Sequence, residues 1–155
     1  MNEIQLYADG SSYPNNGAGN SGGGVVIKNG RNVVGFSKFF GIGTNNTAEI
    51  KAITYGIAKV MEGLRNVLNW QSFVSIRVYS DSEYAINSLS GVWALTPNKK
   101  NFELIKESQV VVREVPNINF SHIRGHAGHR YNELADRLAR DGRLGKEERY
   151  EEFAK

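Results

Sequence analysis

Apolar and polar positions alternate at the start of the chain: Ile4, Leu6 and Ala8 predict a strand that ends at Asp9. Gly10-Ser11-Ser12 and Pro14-Asn15-Asn16-Gly17 read as a loop, and Val25, Val26 and Ile27 place a second strand over 22–28. Asn29-Gly30 is a two-residue hairpin signal, with 31–40 as the returning third strand. The period then changes. From Asn46-Thr47-Ala48-Glu49 onward, Ile50, Ile53, Ile57, Val60, Leu64 and Leu68 recur at steps of three and four, the stripe of an amphipathic helix. Residues 66–72 form its exit loop, and Val74, Ile76, Val78 and Tyr79 predict a strand that stops at Asp81. A short helix over 82–89, an irregular stretch over 91–98 and a helix over 101–112 follow, the last despite the β-prone Val110-Val111-Val112. Beyond Pro116 come a strand over 117–123, a glycine-flanked loop over 125–128 and a final helix over 131–144.

Three antiparallel strands followed by alternating helices and strands predict an α/β fold, a five-stranded mixed sheet with helices on both faces. Residues 1–145 are expected to form one domain, and 146–155 a charged tail that frays. The first strand and the one ending at Asp81 should be parallel neighbours, and ligands of such sheets bind beyond the strands' carboxyl ends. With 155 residues, 40% of them hydrophobic, a sizeable core is available. There is no cysteine, which excludes disulfides and thiolate metal sites and fits a reducing, cytoplasmic setting. No apolar run approaches the roughly 20 residues of a membrane span, and the N-terminus lacks the flanks of a secretory signal. The net charge of +3 permits a polyanionic partner without demanding one.

Candidate chemistry lies in four carboxylates. Asp9 and Asp81 each end an apolar strand and precede a serine-containing turn. Aspartate commonly terminates strands, but two such carboxylates on adjacent strand ends repel unless a cation neutralises them. Glu49 stands three residues after Asn46, the spacing of a capping box, so spacing alone favours a cap. Asp136 lies within the last helix, where an aspartate is ordinarily a solvated surface group. Together the four offer the oxygen ligands a hard cation requires, and a two-metal site can clamp a phosphodiester.

All three histidines fall within His122-Ile123-Arg124-Gly125-His126-Ala127-Gly128-His129. His122 belongs to a strand, and without cysteine or further histidine a structural zinc site is not expected. His126, between glycines, is either an exposed loop residue or a proton shuttle with a pKa near neutrality.

In their order along the chain, Tyr7-Ala8-Asp9-Gly10-Ser11, Asn45-Asn46-Thr47-Ala48-Glu49, Tyr79-Ser80-Asp81-Ser82, Gly125-His126-Ala127-Gly128-His129 and Asn132-Glu133-Leu134-Ala135-Asp136 form a specific set. Over nearly its whole length the chain resembles type 1 ribonuclease H. The resemblance implies an RNase H-like fold and an endonuclease that cuts the RNA strand of RNA–DNA hybrids, leaving 5′-phosphate and 3′-hydroxyl ends. It implies two Mg²⁺ ions, with Mn²⁺ as a substitute. Asp9 would bridge both, Asp136 would share the water-activating ion, and Glu49 and Asp81 would hold the other. His126 would assist proton movement or product release. Gly10, Ser11, Asn45 and Asn46 would contact RNA, with Glu83 close by, and Thr44 and Asn101 would grip a DNA phosphate. Trp93 would stack on the DNA strand or be a buried aromatic. A monomer is expected.

The chain departs from the family pattern in several places. Residues 91–101 are too short for the basic helical handle of some members, and Lys99 and Lys100 are what remains of it. Glu83 replaces a common glutamine, Ile42 stands where some relatives place an arginine, and the first helix with its exit loop is longer than usual. A separate N-terminal hybrid-binding domain is not expected. Competing classes are a catalytically silent hybrid-binding module and a DNA nuclease of the same fold. Ser11, where proofreading exonucleases carry glutamate, and Asp136, where transposases usually carry glutamate, argue against the second. The retention of all four carboxylates argues against the first.

Overall fold

The computed structural model describes residues 2–14, 18–124 and 128–153. The elements in chain order are β1 (Asn2–Tyr13), β2 (Gly19–Asn29), β3 (Asn32–Gly43), α1 (Asn45–Leu64), β4 (Val74–Ser80), α2 (Glu83–Leu89), α3 (Phe102–Arg113), β5 (Ile118–His122), α4 (Arg130–Arg143) and β6 (Arg149–Phe153). They build one sheet in the order β5-β4-β1-β2-β3-β6. β4 runs parallel to both β1 and β5, and the remaining pairs are antiparallel.

The alternation in β1 sorts its side chains onto two faces. Ile4, Leu6 and Ala8 join the larger core, where the α1 stripe of Ile50, Ile53, Ile57 and Val60 meets Leu89, Ile105 and Val112 from α2 and α3. On the opposite face, Ala135 and Leu138 of α4 pack on Val26 and Val33, with Tyr7 alongside. Here helix and sheet approach very closely. A Cβ on Gly24 would lie 2.1 Å from the Ala135 carbonyl oxygen, and one on Gly22 would lie 2.1 Å from the Arg143 nitrogen. Glycine in β2 therefore lets the α4 backbone rest directly on the sheet, and Gly24 pairs with Asp9 across the β1–β2 ladder.

Several expectations change. The sheet has six strands, not five, and residues 149–153 of the expected charged tail are the sixth, paired with β3 from Asn32↔Phe153 to Phe36↔Arg149. Its alternation is masked by charge: Tyr150 joins the α4-side cluster, while Glu152 meets Arg130 and the Tyr150 hydroxyl. β1 does not stop at Asp9 but continues to Tyr13, because Gly10, Ser11 and Ser12 pair with Gly23, Gly22 and Ser21. The β2–β3 turn is Gly30-Arg31, one residue later than expected. Its single positive φ, +61° at Gly30, is the pattern of a II′ turn rather than the I′ turn that Asn-Gly suggests. The α1 stripe ends at Leu64, leaving Leu68 outside the helix and 84% exposed. No helix among the described residues is long and apolar enough to cross a membrane.

Candidate active site

β1 and β4 run side by side, with Tyr7 level with Tyr79, so Asp9 and Asp81 come level two residues further on. The Tyr7 and Tyr79 rings stack at 4.7 Å and Tyr131 of α4 leans on Tyr7 at 5.5 Å, tying three elements together behind the carboxylates. Burial is the main reason the Tyr7 hydroxyl is pushed up to about 12.

Glu49 reaches the same place from α1. The capping box expected of Asn46 and Glu49 is instead made by Thr44 and Thr47: Thr47 N–H donates to Thr44 Oγ1 at 3.2 Å, and Thr44 N–H donates to Thr47 Oγ1 at 2.9 Å. The cap begins two residues earlier than spacing suggested, so Glu49 is not spent on the cap backbone. Gly10 brings α1 close enough, since a Cβ there would lie 2.3 Å from both the Ala48 carbonyl carbon and the Glu49 nitrogen.

One carboxylate oxygen from each of Asp9, Glu49 and Asp81 lies within 4.8 Å of the others. Asp9 is only 5% exposed, and burial pushes its carboxyl up to about 8. A hydrogen bond with Glu49 opposes the rise, and Asp81 and Asp136 add to it. Glu49 is also driven well above the carboxylate range, by burial first and then by Asp9. Glu49 Oε2 is shut off from solvent with no hydrogen-bond partner. A sequestered acceptor inside a group of mutually repelling oxygens fits a hard divalent cation, whose preferred ligands are carboxylate oxygens. Asp136 stands outside this trio. It interacts with Asp9, and Arg140 one helical turn on holds its Oδ2 at 3.5 Å.

Ser11 is buried and its Oγ accepts from Arg143 Nη1 at 2.6 Å, while Asn45 Oδ1 accepts from Ser12 N–H at 2.9 Å and Asn46 is exposed. Asn101, with φ +65°, donates to the Tyr84 hydroxyl at 3.0 Å, and Tyr84 lies edge-on to Trp93 at 5.9 Å. Trp93 is 40% exposed, so it is not the buried aromatic of the alternative, and Lys99 lies over its ring at 5.5 Å. Glu83 opens α2 and is exposed. His126 lies outside the described residues. His122 closes β5, its Nε2 being 3.1 Å from the Asp81 carbonyl oxygen. Sequence reading missed Arg140, which the four-residue step from Asp136 could have flagged, and Arg143, for which no local pattern exists.

A sheet in this order, with acidic side chains gathered where the parallel pairing of its two central strands ends, defines an α/β protein of the ribonuclease H-like class. Residues 1–143 match the RNase H family. The chain belongs to that family, among its type 1 members. It is 31% identical over 150 residues to ribonuclease HI of Haemophilus influenzae, covering 90% of this chain and 89% of the relative. It is 32% identical over 149 residues to ribonuclease H of Desulforamulus reducens, covering 90% and 86%. Among solved structures, an RNase H1 isolated from compost superposes with a TM-score of 0.76 at 27% identity, over 94% of this chain and 98% of the other. The same enzyme in complex with RNA/DNA hybrid gives 0.68 at 25% identity, over 89% and 97%.

Proposed function

We propose that this chain is an endoribonuclease that hydrolyses the RNA strand of RNA–DNA hybrids, with Asp9, Glu49, Asp81 and Asp136 holding two Mg²⁺ ions. The observation that carries the reading is the sequestered, unpartnered Oε2 of Glu49 in a carboxylate group where one oxygen each of Asp9, Glu49 and Asp81 lies within 4.8 Å of the others. When bound, a pair of divalent ions supplies charge neutralisation and polarisation for in-line displacement at phosphorus. Asp9 is central, interacting with Glu49 and Asp81 on one side and Asp136 on the other. It is the ligand suited to serve both ions. Arg140, one helical turn on, pairs with Asp136 at 3.5 Å. Asn45, Asn46 and the backbone at Gly10 and Ser11 read the ribose edge, where 2′-hydroxyls distinguish RNA from DNA. Asn45 also braces Ser12. Thr44, Asn101 and Trp93 receive the DNA strand, Glu83 adds negative charge beside the RNA, and His126 carries protons. Mn²⁺ substitutes for Mg²⁺, and the protein works as a cytoplasmic monomer.

The test incubates labelled RNA–DNA hybrid, single-stranded RNA, duplex RNA and duplex DNA with wild type and Asp9→Asn, with and without Mg²⁺. Only the hybrid's RNA should be cut, by wild type alone and only with metal. Cleavage of duplex DNA at a comparable rate overturns the substrate assignment, and cleavage by Asp9→Asn overturns the site.

A further inference from the structure

Beyond the carboxylates, β1 and α4 continue side by side and build a second group of side chains. Asp9, Ser11 and Tyr13 alternate onto the α4 face of β1. Asp136 and Arg143, seven residues apart on α4, share one face of that helix. Arg143 Nη1 donates to Ser11 Oγ at 2.6 Å, and its guanidinium lies 5.4 Å from the Tyr13 ring centroid. Its Nε–H is buried without a partner. Tyr13 is 67% exposed and pairs across the ladder with the exposed Asn20. Tyr13, Asn20, Arg143 and Leu144 line a hollow of about 240 Å³.

We propose that Tyr13, Asn20 and Arg143 form a subsite for a flanking nucleotide of the RNA strand, with Tyr13 offering a stacking face and Arg143 a phosphate contact. The inference rests on the hybrid-cleaving function proposed above. An exposed ring beside a cation suits a nucleotide, because base stacking on an aromatic face tolerates any sequence and arginine matches phosphate geometry. A guanidinium carries five N–H donors; Ser11 engages one at Nη1 and the Nε–H is buried, so the remaining Nη donors keep capacity for a phosphate. Position selects the strand. Tyr13 lies about 13 Å beyond Asp9 along β1, at ~3.3 Å per residue, which corresponds to roughly three or four nucleotides at ~3.4 Å of axis each. The strand lying on Asp9 is the one that is cut, and that strand is RNA.

The experiment measures binding to RNA–DNA hybrids in Ca²⁺ across a KCl series, together with Mg²⁺-dependent cleavage. Hybrids are either full length or trimmed to two base pairs beyond the cut on one side or the other. Tyr13→Ala and Arg143→Ala should each weaken binding of the full-length hybrid about tenfold, with no effect on the hybrid trimmed at the subsite's side. Arg143→Ala should also lower the slope of log affinity against log salt by about one, as loss of one phosphate contact requires. Tyr13→Phe should behave as wild type, and Arg143→Lys should recover the slope. Equal weakening on full-length and trimmed hybrids, or an unchanged salt slope, overturns the subsite while wild-type cleavage stands. Failure of wild type to cut or bind any hybrid overturns the function and the RNA occupant together.

Discussion

At Asp9 a carboxyl whose ordinary pKa is 3.8 is raised to about 8 by burial and by its acidic neighbours. Its folded-state pKa lies above its unfolded one, so between those values the folded chain binds more protons than the unfolded chain. The stability this group confers is complete below about pH 4 and is lost as pH rises through about 8. In EDTA the melting temperature of the wild type should therefore fall over this range relative to Asp9→Asn, which carries no charge to bury. Each 1 kcal/mol corresponds to roughly 2–4 °C in a chain of this size. Mg²⁺ at pH 8 should raise the wild type and leave the variant unmoved. Parallel melting curves for the two proteins in EDTA would show that Asp9 is not strained by its surroundings. The residues of this cluster were unevenly legible in sequence. Asp9 and Asp81 announced themselves by closing apolar segments. Glu49 did not, because Asn46-x-x-Glu49 imitates a cap and only the neighbouring threonines, which cap the helix themselves, resolve it. Asp136 had no local signature, since its environment is created by a strand more than a hundred residues away.

Two elements set where these side chains meet. The first turn of α1 is fixed by Thr44 and Thr47, so the helix end and the acid it carries depend on different side chains. Thr47→Val should cost about 0.5–2 kcal/mol of stability, in line with cap removal, while kcat of the folded enzyme stays near wild type. α4 is seated by glycine. At Gly24 an added methyl would sit 2.1 Å from the Ala135 carbonyl oxygen, so Gly24→Ala must lift the helix that holds Asp136. It should lose about 1–3 kcal/mol to overpacking and, unlike Thr47→Val, lose activity even at temperatures where it is fully folded. Calorimetry paired with hybrid cleavage separates the two. From β1 to α4 the types and order of the elements were readable from periodicity, and their ends were not. β1 overran its expected stop because the glycines and serines after Asp9 have little strand preference of their own. They are extended because β2 pairs with them and α1 presses on Gly10. β6 was hidden for a related reason, its one inward ring, Tyr150, standing among charges that disguise the alternation.

Across the molecule, the three-helix face carries the larger core, and the single helix on the other face brings Asp136 to the parallel strands. The sheet has two margins, β5 and β6. The second margin is clasped. Ser37 Oγ donates to the Lys146 carbonyl at 2.7 Å and accepts from Glu148 N–H at 2.6 Å, and Glu152 engages Arg130 and Tyr150. Without that clasp, β3 would present open N–H and C=O groups beside Val33, Val34 and Phe36, a template for pairing with another chain. Removal of residues 146–155 should therefore lower the melting temperature and produce concentration-dependent association in sedimentation velocity, whereas the full chain stays unassociated. A truncated chain that remained dispersed and equally heat-resistant would show the β3 margin to be harmless. Residues 146–153 thus act as a selvedge, the woven border that keeps cloth from unravelling. A shortened form of the protein would betray its loss first as turbidity in storage, before any slowing of the reaction.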